Sequence, residues 1–185
     1  MNCRFKQFLF GTVVVLLAAG CAMLQTDDVV HANRGVSYLL SQQYDAAIAA
    51  ADRALEINPR LAEAYVVRGE AYLDGKGQFD QAIADFNRAL EINPGFDGAY
   101  YNRGLAYARK GQYEQAISDF NKVLEINPKD ARAYWNKARA LETIGQLKEA
   151  VEAYEAFILY ATPYATPEVA GLISLARQKI KYLKK

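Results

Sequence analysis

A chain of 185 residues with 52% hydrophobic side chains is long enough to bury a core and suits one domain or a short array. Lys and Arg number 22 against 21 Asp and Glu, and a net charge of +1 leaves no electrostatic footprint for nucleic acid. Two cysteines and one histidine are too few for a disulfide framework or a cluster of His and Cys metal ligands.

The chain opens on Arg4 and Lys6, followed by an uncharged run from Gln7 to Gly20 whose apolar part spans Phe8 to Ala19. That is too short to cross a bilayer as a helix, and it suits the hydrophobic region of a signal peptide, predicted over 1–20. The run closes on Leu17, Ala18, Ala19, Gly20 and Cys21, which resembles the lipobox of bacterial lipoproteins. The resemblance implies cleavage before Cys21 and acylation of the new N-terminus, with a diacylglyceryl group on the Cys21 thiol. Several acyl chains hold a protein on a membrane far more firmly than one. Loss of 1–20 would take Arg4 and Lys6 with it, turning the net charge to −1 and leaving Cys21 as the sole thiol. In Gram-negative lipoprotein families the residue after the cysteine directs sorting. Ala22 is not the aspartate of inner-membrane retention, which implies an outer-membrane anchor facing the periplasm. Residues 21–27 are then a short tether with a reach of roughly 23 Å at ~3.3 Å per residue. The alternative is an ordinary cysteine behind a conventional signal.

From residue 28 one pattern recurs. The hexapeptide ALEINP occupies 54–59 and 89–94 and returns as VLEINP at 123–128. Gly35, Gly69, Gly104 and Ala138 fall at equivalent positions, followed by Ala47, Ala82, Ala116 and Ala150. A period of 34 or 35 residues is the mark of stacked supersecondary units. Within a unit, apolar residues at spacings of three and four, such as Ala116, Ile117, Phe120, Val123 and Leu124, predict an amphipathic helix. Lys110, Gly111 and Gln112 predict the turn before it, and Pro128 biases Asn127 out of helical geometry after it. The stretch Gly69 to Gly77 carries one residue more than its counterparts, read as an insertion in the turn between two helices.

These positions resemble the tetratricopeptide repeat. The resemblance implies an all-α, right-handed solenoid of four helix pairs at 28–61, 62–96, 97–130 and 131–164. A last helix within 165–185 starts on Thr166 and Pro167, with Val169, Leu172, Ile173, Ala176, Ile180 and Leu183 as its apolar stripe, and caps the stack. Its cations Arg177, Lys179, Lys181, Lys184 and Lys185 suit either a helix C-terminus or anionic lipid. In the family the first helix of each pair lines a concave groove. Carried over residue by residue, this implies a peptide-binding set of Asn33; Val67 and Glu70; Tyr101, Asn102 and Arg109; and Arg132, Trp135, Asn136 and Arg139. Asn33, Asn102 and Asn136 share one repeat position, where an amide offers both a donor and an acceptor to an extended backbone. Tyr101 and Trp135 supply rings of the kind that anchor interfaces. Trp135 is read as facing the groove in preference to the core, since Tyr134 already holds the packing position.

Catalysis has little to stand on. His31 is the sole histidine and falls where the other units place Tyr65, Tyr100 and Tyr134, so it reads as a packing residue. Gly69 to Gly77 fails the phosphate-loop spacing, and Lys76 is followed by Gly77 instead of a hydroxyl residue. No catalytic residue, cofactor or metal is expected. The resemblance implies a lipid-anchored adaptor that binds envelope proteins or their peptide segments. It is similar in this to repeat lipoproteins that act as pilotins for pilus secretins or bring proteases and cell-wall hydrolases together. Two alternatives stay open: a glycan-binding or glycan-processing protein using Glu70, Asp74 and Glu142, and a non-lipidated secreted or cytoplasmic interaction module. Nothing in the sequence requires or forbids a homo-oligomer.

Overall fold

The helix pairs are closed by a proline device used three times. At Asn58, Asn93 and Asn127 the backbone leaves the helix for extended geometry, with ψ of 92°, 91° and 90°, because the following proline disfavours the α region. Each asparagine side chain then accepts from the backbone N–H two residues on, at Arg60 (3.0 Å), Gly95 (3.1 Å) and Lys129 (3.3 Å), which fixes the turn.

A computed structural model describes residues 26–184; the predicted signal at 1–20 and Cys21 lie outside them. Among the described residues nine α-helices follow one another: α1 (Asp27–Leu40), α2 (Tyr44–Ile57), α3 (Ala62–Glu70), α4 (Phe79–Ile92), α5 (Asp97–Arg109), α6 (Tyr113–Ile126), α7 (Ala131–Thr143), α8 (Leu147–Ala161) and α9 (Pro167–Leu183). They form four pairs and a terminal helix, an all-α stack in which each helix packs on its neighbours in sequence. First helices also touch the first helix of the next pair, α1 with α3, α3 with α5 and α5 with α7, so these four line one face together. No helix among the described residues is long and apolar enough to cross a membrane.

Small residues permit the close approach within each pair. A Cβ on Gly104 would stand 2.8 Å from the Phe120 ring, and one on Gly69 2.7 Å from Phe86. Phe86, Phe120 and Tyr154 occupy equivalent sites and are fully buried. The turns inside three pairs pass through left-handed backbone at Gly77, Gly111 and Gly145, and the first pair places Gln42 there at φ 56°.

The extra residue of the second repeat is not in the turn. It is absorbed at the end of α3 as a π-helical turn, Ala71–Lys76, which widens the helix and keeps the α4 register. Gly75 is required in it, since a Cβ there would meet the Tyr44 ring at 2.1 Å. At the far end Thr166 caps α9, accepting from the Val169 N–H at 3.4 Å. Val169, Ile173, Ala176, Ile180 and Leu183 cover the core of the fourth pair. Leu172 turns away from that core. Lys179 and Lys184 are tied to Glu142 and Glu155, which leaves them less free to meet lipid headgroups.

Candidate functional site

On the face lined by first helices, side chains link one repeat to the next. Asn102 donates from Nδ2 to Glu70, joining α5 to α3. Arg109 bonds the Leu73 carbonyl at 3.0 Å and pairs with Asp74 at 2.9 Å. Asn136 donates from Nδ2 to the Tyr101 hydroxyl at 2.9 Å and to the Arg132 carbonyl at 3.0 Å, joining α7 to α5. The Arg132 guanidinium lies 4.8 Å above the Tyr101 ring and pairs with Asp130.

The shared asparagine position therefore does less for a ligand than its chemistry suggests. It faces the preceding first helix, so Asn102 and Asn136 spend donors on bridging. Asn33 has no preceding pair and is exposed. In the second repeat the position holds Val67, which is 4% exposed and packs against Gly35. Val67 thus belongs to the seam between the first two pairs and not to an open groove wall.

Toward the C-terminal end the floor opens into two adjoining chambers of about 940 and 540 Å³. Tyr101, Trp135 and Asn136 border both. The larger is also lined by Arg109, Arg139, Glu142 and Lys179, the smaller by Arg132, Phe157, Tyr160 and Leu172. Of the residues expected from sequence, Tyr101, Arg109, Arg132, Trp135, Asn136 and Arg139 meet here. Asn33, Val67, Glu70 and Asn102 do not line either chamber.

Trp135, expected on the groove in preference to the core, serves both. One side of the ring packs on Tyr154 at 5.6 Å and Phe157 at 5.1 Å between centroids, while the rest faces the chambers. Burial pushes the Tyr101 hydroxyl above its ordinary range. Burial works the same way on Glu142, but hydrogen bonds from Lys179 (2.6 Å) and Tyr154 (2.8 Å) outweigh it and hold the carboxyl below its ordinary range. Glu70 has only an amide partner, and burial raises it. The carboxylates proposed for glycan chemistry are thus engaged separately, Glu70 by Asn102, Asp74 by Arg109, and Glu142 by Lys179 and Tyr154.

The wall formed by α9 escaped the repeat alignment. Leu172, Leu175 and Lys179 lie at helical spacing on a second stripe beside the one that covers the core, and all three border the chambers. That spacing was present in the sequence; the alignment had no first-helix position to compare it with.

The tetratricopeptide repeat profile matches residues 29–61 and 98–130, a TPR repeat profile matches 76–111, and a further tetratricopeptide repeat profile matches 120–152. No curated protein matches the chain. Among solved structures, TTC0263, a thermophilic TPR protein of Thermus thermophilus, aligns at 20% identity with a TM-score of 0.71, covering 89% of each chain. The MamA protein aligns at 23% identity and a TM-score of 0.66, over 85% of this chain and 90% of that one. The first TPR domain of Spaghetti (RPAP3), solved bound to HSP90 peptide SRMEEVD, aligns at 25% identity and a TM-score of 0.62, over 64% of this chain and 93% of that one.

Proposed function

Because the chain belongs to the tetratricopeptide repeat family, a scaffold for protein–protein interaction, we propose that it is a lipid-anchored adaptor of the bacterial cell envelope. Anchored through Cys21 to the outer membrane and facing the periplasm, it holds a segment of another envelope protein in the groove between α5, α7 and α9. The role is assembly or localisation of an envelope complex, as a pilotin for a pilus secretin or as an adaptor for a hydrolase or protease.

One observation carries this reading: Tyr101, Trp135 and Asn136 stand on successive first helices and border two joined chambers, a surface sized for a chain segment. The first TPR domain of Spaghetti (RPAP3), to which this chain is similar, was solved bound to an HSP90 peptide. The anchor is supported by the sequence from Arg4 to Cys21.

Crosslinking and recovery from membranes tests both halves together, using the native chain, a Cys21→Ser variant and an Arg139→Glu, Leu175→Glu variant. Both groove substitutions fall on exposed side chains, so helicity by circular dichroism stays native. The Cys21 variant leaves the membrane fraction, whereas the groove variant stays there and loses a specific set of envelope proteins. Retention of those proteins by the groove variant overturns the groove; unchanged membrane association of the Cys21 variant overturns the anchor.

A further inference from the structure

We propose that the groove takes an extended segment carrying a bulky apolar side chain and, about three residues away, an internal aspartate or glutamate. This deepens the reading above and rests on it.

The two chambers differ in chemistry, and the helices set their separation. Helices α7 and α9 run the same way through the groove. Arg132 and Leu172 border the smaller chamber, while Arg139 and Lys179 border the larger one. Seven residues of helix advance about 10 Å at ~1.5 Å per residue. An extended chain covers that distance in roughly three residues at ~3.3 Å each.

The smaller chamber selects an apolar side chain. Phe157, Tyr160, Val169 and Leu172 stand around it, its charged lining is Lys129 and the Arg132–Asp130 pair, and Tyr164 at its edge is 80% exposed, so most of the wall is apolar and uncovered. The larger chamber selects a carboxylate. Three cations, Arg109, Arg139 and Lys179, line it against one carboxylate, Glu142. Lys179 and Tyr154 already donate to Glu142, and Arg109 is held by Asp74 and the Leu73 carbonyl. Among the described residues the Arg139 guanidinium donates no hydrogen bond and closes no ion pair; its charge is felt by Glu142 and Tyr154 without contact. A planar fork of donors at the rim of a cationic chamber fits an incoming carboxylate, and an incoming lysine meets repulsion instead.

Asn136 favours an extended ligand over a helical one. Its donors are spent inside the protein, and its Oδ1 accepts from none of the described residues. The interior of a helix has no backbone N–H to offer that oxygen, whereas an extended segment does.

Trp135, the only tryptophan, borders both chambers and makes the test optical. The purified full chain is titrated with pools of octapeptides blocked at both ends, Phe fixed at position three, Glu at position six and Ala, Ser or Gln elsewhere. Parallel pools carry Gln or Lys at position six, or Ala at position three. The Phe/Glu pool shifts Trp135 emission, and the Gln pool and the Ala pool each bind about tenfold more weakly, the loss of one charged or one apolar anchor. Arg139→Gln, an exposed change, removes the preference for Glu over Gln, and Leu172→Asp removes the preference for Phe over Ala. If the Gln and Lys pools bind as well as the Glu pool, the acidic specificity is wrong while the groove reading stands. If no pool binds to a chain of native helicity, the groove reading itself fails.

Discussion

Glu70 shows how a single side chain can serve a seam at a cost to stability. Burial raises its carboxyl above the ordinary carboxylate range, the Asn102 amide opposes this, and the nearby Asp74 charge adds to it. A carboxyl raised in the native state binds more protons folded than unfolded between its unfolded and folded values, so stability falls as pH rises through that window. The cost is complete above the folded value and absent below the ordinary range. Glu70→Gln keeps an acceptor for Asn102 and removes the charge. It is expected to raise the thermal midpoint at pH 7 by about 1–3 °C for a domain of this size, an advantage that disappears near pH 4. Thermal melts of both chains at the two pH values check it, and an equal shift at both would place the effect outside the titration. At this scale the sequence was only partly legible. Glu70 and Asn102 were identifiable as polar residues on a first helix. That one would spend itself on the other depended on a neighbouring repeat that a position-by-position alignment does not bring into contact. Val67 was misread for the same reason, since its Asn counterparts gave no sign that Gly35 would let it sink into the seam.

The helix pairs were legible because a 3.6-residue apolar period, a proline-closed turn and a small residue at each close approach all agree in several copies. The seams between pairs were less so, and they are not equivalent. Arg68 on α3 binds Asp85 on α4 through two bonds of 2.9 and 2.7 Å and reaches back to Asp52 on α2 at 2.6 Å. Arg103 on α5 repeats this with Asp119 on α6 at 2.8 and 2.6 Å and Asn87 on α4 at 2.6 Å. At the third seam the same positions hold Lys137, Ala153 and Asn121, and a cavity of about 380 Å³ stands there. Burial pushes the Lys137 amine below its usual range, with Glu152 drawing it back. Rebuilding the cluster is therefore a defined experiment. Ala153→Asp alone puts a carboxylate at a site only 5% exposed and destabilises. Combined with Lys137→Arg it gains a bidentate partner, and the double-mutant cycle is expected to show favourable coupling of about 1–3 kcal/mol in urea melts. The net stability need not exceed that of the native chain, because burying a new ion pair carries its own desolvation cost. Strict additivity would mean that the two side chains do not meet, and that the third seam differs in geometry as well as in composition.

Across the whole molecule, contacts run between sequence neighbours and from one first helix to the next, so stability is distributed along the stack and not gathered in one centre. A perturbation at one end should stay there. Ile173 is the test position. It is buried where α9 covers the fourth pair, among Phe157, Ala161 and Ala176, and it lies off the stripe that borders the chambers. Ile173→Ala deletes buried methyl and methylene groups at the centre of the stripe by which α9 covers the fourth pair, a loss of about 2–4 kcal/mol. In a globule with a single core, that loss would speed amide exchange everywhere that reports global opening. In a stack it loosens α9 first and then α8 and α7, while α1 to α4 keep native protection. Hydrogen exchange read helix by helix separates the two cases. The same variant bears on function, because α9 supplies Leu172, Leu175 and Lys179 to the groove while depending on Ile173 and Ala176 for its own place. Protection lost evenly from α1 to α9 would contradict a stack of locally stabilised units. Protection lost only from α7 to α9, together with weakened binding of the Phe/Glu peptide pool, would identify the terminal helix as a working wall of the groove.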